Sequence, residues 1–293
     1  MKKFLLSTLT ASLLLSGVSY AKTSAEVNKE TVKQAKVDAK NSTTKLVKDA
    51  VNSLLLTQKV LIDLSKKDKK AAIKDLEDAI GKLEVILASK DAPKLLPVDS
   101  KVVAIEYIGD IVMLKKSVDA VKKFIADGKL QEARLLLNTL QSQININTVS
   151  IPLATYPDAL KLAAKYLHED KIDEAISVLD TALNTLVQDS VVIPIPILKA
   201  EGLIKAASQI AKSDKEQALK HLAQAKKELV IAKTLGYVSK SDTTYKMLDD
   251  AIVAIEKEIK GKNKAQKLFD SLIKKIKEFK EKALSHTSNN KDK

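Results

Sequence analysis

Three histidines and a scatter of carboxylates are the residues of this chain best equipped for chemistry. The histidines are His168, His221 and His286. A metal site on one helix needs two imidazoles four residues apart, so that both reach the same ion. No pair here has that spacing. His168 precedes Glu169-Asp170 at a turn, where a cation near a helix C-terminus is favourable. A metal or acid–base role is the alternative reading of that residue. His221 stands among lysines and His286 near the chain end, and both read as solvent-facing. The carboxylate pairs Glu77-Asp78 and Asp249-Asp250 are adjacent in sequence, so on a helix they point in different directions. Paired-carboxylate hydrolysis needs two acids facing each other across a cleft. There is no cysteine, which removes disulfides, thiolate metal sites and thiol nucleophiles. Serines and threonines fall in caps and turns without a nucleophile-elbow motif, and no glycine-rich phosphate loop is present. The expectation is a protein that is not an enzyme, with no catalytic, cofactor-binding or metal-binding residues.

The charge narrows the partners. The chain of 293 residues carries a formal net charge of +13. Arg134 is its one arginine, so lysine supplies nearly all the positive charge. Lysine is a hydrated point charge without the planar fork that reads phosphates and base edges. Aromatics are only 3% of the chain and tryptophan is absent, so stacking surfaces for bases or sugars are scarce. Nucleic acid is therefore not an expected partner. The charge suits either a solvated surface or attraction to an anionic envelope.

The elements that would position any site follow in order. Met1-Lys2-Lys3, an apolar run from Phe4 and the small residues around Ala21 read as a signal peptide over residues 1–21, cleaved after Ala21. The expected address of the mature chain is the periplasm. Residues 22–44 are polar, with weak periodicity at Val27, Val32, Ala35 and Ala39, and read as a frayed helix or a tether. Residues 45–238 form the expected main helical domain. Residues 239–284 form a lysine-rich helical hairpin, and residues 285–293 a disordered tail. The fold class is mainly all-α: stacked antiparallel helical hairpins joined by short extended segments containing proline.

A short unit recurs within the main domain. Ala72, Leu76 and Ala79 share a spacing with Ala133, Leu137 and Leu140, with Ala175, Leu179 and Ala182, and with Ala218, Leu222 and Ala225. Each follows a charged turn, and each sets one apolar face with a small residue for close helix approach. Near the end, Tyr245, Leu248, Ile252, Ile255 and Ile259 make one heptad-like seam, and Phe269, Leu272, Ile276, Phe279 and Ala283 another. The second helix docks on its neighbour, lies on anionic lipid, or pairs with another protomer.

Proline strings interrupt the helices. Pro97 and Asp99, Ile151 and Pro152 with Tyr156, and Ile193, Pro194 and Pro196 form the candidate motif. One reading is structural, with proline setting direction between helices. The other is an apolar groove along residues 149–156 and 191–197 that takes an extended peptide or small ligand by strand addition. The lost backbone donors of proline argue against strand addition.

These strings, with Leu96-Pro97-Val98-Asp99, Ile151-Pro152-Leu153 and the run from Val192 through Pro196 to Glu201, resemble the YfdX family over about residues 71–235. The resemblance implies a secreted, largely helical bacterial protein associated with envelope stress such as acid, heat and antibiotics. It implies a stress-protective or chaperone-like role, unfolded or stress-damaged proteins as partners, and self-association. It brings no catalytic residues. A module that binds an anionic membrane surface and a small-ligand-binding protein are the alternatives.

Overall fold

A computed structural model describes residues 22–42, 48–238, 243–261 and 265–288. The signal-peptide reading and the side chains of Ala283 and His286 lie outside what is described. The architecture is mainly helical, with one small sheet. The helices are α1 (Ser24–Ser42), α2 (Lys48–Ser65), α3 (Lys69–Leu87), α4 (Ile111–Ala126), α5 (Leu130–Thr139), α6 (Tyr156–His168), α7 (Ile172–Asn184), α8 (Ile195–Ile210), α9 (Lys215–Thr234), α10 (Thr243–Lys260) and α11 (Gln266–Ser288). The extended segments are β1 (Leu95–Ile105), β2 (Gln143–Pro152) and β3 (Val187–Pro194), in the order β1-β2-β3. The sequence marks these segments as extended, and the structure pairs them into a sheet. Pro196, read as extended, sits in the first turn of α8, where its missing N–H costs nothing.

The chain forms two compact units, each discontinuous in sequence. One comprises residues 43–101 and 146–190, the other residues 1–42, 102–145 and 191–293. The chain changes unit within each of the three strands.

The smaller unit is two helical hairpins, α2–α3 and α6–α7, with α3 packed on α6 and α2 on α7. The recurring unit explains how they meet. Ala72, Leu76, Ala79, Ala175, Leu179 and Ala182 are all buried. Alanine on the contact face lets the backbones approach, and leucine fills the space between. Asp68 caps α3 by accepting from the Ala71 N–H at 3.0 Å.

The larger unit is built around the α8–α9 hairpin. Helix α8 is buried on nearly all sides, and α9, α1 and α11 pack against it. Ala218, Leu222 and Ala225 of α9 are fully buried. Both C-terminal seams face inward: Leu248, Ile252, Ile255, Ile259, Phe269, Leu272, Ile276 and Phe279 belong to this unit's core. The second C-terminal helix therefore docks within its own chain. Asp110 caps α4 through the Met113 N–H at 2.8 Å, and Gly128 takes the left-handed turn (φ 72°) between α4 and α5.

Residues 22–42 are neither a frayed helix nor a tether. Thr23 and Glu26 form a reciprocal capping box, with the Thr23 N–H donating to Glu26 Oε2 at 2.7 Å and the Glu26 N–H donating to Thr23 Oγ1 at 3.3 Å. Helix α1 follows and buries Val27, Val32, Ala35 and Ala39 against the α8–α9 pair.

Candidate functional site

Two features of the larger unit stand out: an exposed apolar hairpin and a buried polar seam. The hairpin is α4–α5 with the residues leading into it. Its core is small, consisting of Leu114, Val121, Ala133 and Leu140. Around that core, Ile108 is 94% exposed, Val112 58%, Met113 59%, Leu130 63% and Leu135 71%. Ile125 and Leu137 are exposed as well. The cause is in the sequence. Leu135-Leu136-Leu137 are consecutive, and at about 100° per residue three neighbours cannot share one helix face. The second copy of the recurring unit thus departs from the others, because Leu137 and Leu130 point to solvent where core positions are expected.

The polar seam lies under α1. Gln217, His221, Gln224 and Glu228 fall at positions i, i+4, i+7 and i+11 of α9, which is one face. Gln217 Nε2 donates to the Lys22 carbonyl at 3.0 Å, Ser24 Oγ lies 2.9 Å from His221 Nδ1, and Asn28 Nδ2 donates to Glu228 Oε1 at 3.1 Å. The contacts climb both helices together, so α1 runs parallel to α9. On α8, Gly202 lies beneath Thr31, and a β-carbon there would stand 3.2 Å from the Thr31 β-carbon. His221 is 1% exposed, which corrects the solvent-facing reading. Burial lowers its pKa, with Asp214 acting the other way. Burial raises the Glu228 carboxyl, against the pull of Lys199 and its amide partners.

A second buried carboxylate joins α8 to α11. Glu201 pairs with Lys280 and Lys205, each at 2.8 Å. Burial pushes its pKa up, but the two ammonium groups more than offset this and hold it below the usual range. Among the described residues no group of three or more His, Cys, Asp or Glu could hold a metal ion. His168 is surface-exposed, with Nε2 3.9 Å from Glu77 Oε1.

The proline motif is placed by the strands. Pro97 and Asp99 are in β1, Ile151 and Pro152 in β2, and Ile193 and Pro194 in β3, while Tyr156 and Pro196 open α6 and α8. Ile151, Tyr156, Ile193, Pro194 and Pro196 are buried, and Asp99 is exposed. The buried members offer no surface to a ligand. Tyr156 packs near Thr57, and burial pushes its hydroxyl pKa up to about 12. A separate trough of about 760 Å³ opens between α2 and α3, lined in part by Leu55, Gly81 and Val85. The Lys82–Asp49 ion pair sits in its wall at 3.6 Å. No described helix is long and apolar enough to cross a membrane.

Comparison with known proteins adds a family. Residues 53–192 match the family model described as YfdX protein. That match starts and ends earlier than the resemblance read from the proline strings, so Ile193 through Glu201 fall outside it. Solved structures with similarity include one of Salmonella Typhi YfdX. It is 15% identical, covers 51% of this chain and 93% of its own, and has a TM-score of 0.37. No curated protein matches the chain. The match of residues 53–192, from within α2 into β3, is to the YfdX family.

Proposed function

We propose that this chain is a non-enzymatic, stress-associated protein of the periplasm that holds unfolding proteins on the apolar surface of its α4–α5 hairpin. The observation that carries the reading is the exposure of Ile108, Val112, Met113, Leu130 and Leu135 around a core of only four buried residues. Large apolar side chains gathered on one element mark an interaction surface. Methionine adds a soft, adaptable contact suited to varied partners. The N-terminal signal pattern supports the address, and the stress association of the YfdX family supports the role.

The test is light scattering of a heat-denaturing client enzyme, with the chain from Lys22 onward present or absent. The expected result is suppressed aggregation. A variant carrying Val112→Lys, Leu135→Lys and Leu137→Glu should lose most of the suppression while keeping its helical circular dichroism. Equal suppression by the folded variant overturns the hairpin as the client surface.

A second reading rests on charge. Among the described residues, Lys257, Lys260, Lys267, Lys274, Lys275 and Lys277 on α10 and α11 have no carboxylate within 4.0 Å. They form a basic surface for anionic headgroups, while the apolar stripes of both helices stay inside. Binding of that kind is purely electrostatic and is lost at high salt. Co-sedimentation with anionic vesicles at low and high salt checks it.

A further inference from the structure

The α8–α9 groove holds α1 in an unusual way. The apolar side chains that α1 buries are two valines and two alanines. A large buried side chain contributes about 1.5–3 kcal/mol, and alanine much less. Against this, α1 carries three buried oxygens with no hydrogen-bond partner: Asn28 Oδ1, Thr31 Oγ1 and Asp38 Oδ2. Each such group costs about 1–3 kcal/mol. His221 and Glu228, which meet Ser24 and Asn28 of α1, are both buried. With few large apolar side chains to hold it, α1 is the layer of this unit suited to local opening. On release the polar groups of α9 that meet α1 face the vacated groove, and Gly202 of α8 is uncovered beside them.

We propose that the α8–α9 groove is a helix-binding site and that α1 is its removable occupant. The partner it fits is an amphipathic helix of another chain whose buried face repeats the chemistry of α1. Small residues would pass over Gly202, flanked by valine-sized side chains. Hydroxyl and carboxamide groups would meet His221 and Glu228. The proposal stands on the α1 seam and does not depend on client binding by the α4–α5 hairpin.

The probe is a fluorescein-labelled peptide with the sequence of residues 22–42, followed by anisotropy. Two variants of the chain from Lys22 onward bracket the parent. In the first, Thr31→Cys and Gly202→Cys lock α1 in place by a disulfide. A β-carbon at position 202 would lie 3.2 Å from that of Thr31, close to the range of about 3.5–4.5 Å that a disulfide spans, and the parent chain has no cysteine to compete. In the second, Ala35→Lys and Ala39→Glu expel α1 from the groove. The expected result is no binding to the oxidised locked form, recovery to the parent level on reduction, and at least about tenfold tighter binding to the expelled form. The gain arises because a tethered occupant no longer competes. Equal binding to locked and reduced forms overturns the proposal, as does failure of the expelled form to bind. Loss of the α8–α11 fold on expulsion, read by circular dichroism and thermal melting, also overturns it, because α1 is then a structural part of the core.

Discussion

Helix α1 and the α10–α11 hairpin both pack on α8 and α9, yet they are held by different means. The hairpin contributes eight Leu, Ile and Phe side chains to the core and one buried ion-pair cluster, Glu201 with Lys205 and Lys280. Helix α1 contributes Val27, Val32, Ala35 and Ala39 and a line of hydroxyl, amide, imidazole and carboxylate contacts. Large apolar side chains give a firm attachment, to which the buried ion pair adds a contribution. Small and polar ones give an attachment that is specific in register but weak, with titratable groups beneath it. The difference assigns α10–α11 to the permanent core and α1 to a layer that opens ahead of it.

The largest expected effect lies in the hairpin seam. Phe269→Ala should cost about 3–5 kcal/mol in urea unfolding, as for other buried aromatic truncations. Val27→Ala should leave the urea midpoint nearly unchanged and act on α1 alone. Equal losses from the two substitutions would erase the distinction.

Next is the ion pair. Glu201→Ala removes the carboxylate that Lys280 and Lys205 share and should cost about 3 kcal/mol. Glu201→Leu with Lys280→Met should recover most of that loss. The Glu201 carboxyl lies below its ordinary value of 4.5 in the folded chain. Its contribution is therefore present above pH 4.5 and is lost as pH falls through the folded value. Thermal melts of parent and Glu201→Gln should converge at low pH.

The smallest effects belong to α1. The Glu228 carboxyl is raised, so it favours docking fully below pH 4.5, and this is lost as pH rises through the folded value. Glu228→Gln, neutral at every pH, should strengthen α1 docking at about pH 7, read as slower amide exchange of α1. His221 works in the opposite direction. Its lowered pKa supports docking above pH 6.5, and the support is lost as pH falls. His221→Gln should flatten that loss, read as amide exchange of α1 between about pH 7 and about pH 5.5.

Much of the fold is legible in the sequence where side chains are large or pattern-bound. The Ala-Leu-Ala spacing at residues 72, 175 and 218 marks buried faces, and the heptad spacing at Leu248–Ile259 and Phe269–Phe279 marks the C-terminal seams. Asp110 and Gly128 mark the ends of α4. The rest is hidden by physics that acts at a distance. Helix α1 looks like a tether because its buried face is alanine, valine and threonine, which carry little periodic signal. Thr23 and Glu26, spaced as a capping box, are the local clue that a helix starts there. His221 reads as exposed because lysines surround it in sequence, whereas its partner, Ser24, lies 197 residues away. The pairing of the three proline-containing strands is likewise non-local. The exposed hairpin is visible in retrospect in Leu135-Leu136-Leu137, where a helix has more apolar positions than one face can bury.

Native-state hydrogen exchange with mass spectrometry, on the chain from Lys22 onward at neutral pH, tests the contrast most directly. The account predicts that amides of α1 exchange at least about tenfold faster than those of α8 and of the Phe269–Phe279 stretch, through an opening that leaves the latter protected. Exchange of α1 together with α8 and α11, only through global unfolding, would contradict it and make α1 as permanent as the rest of the core.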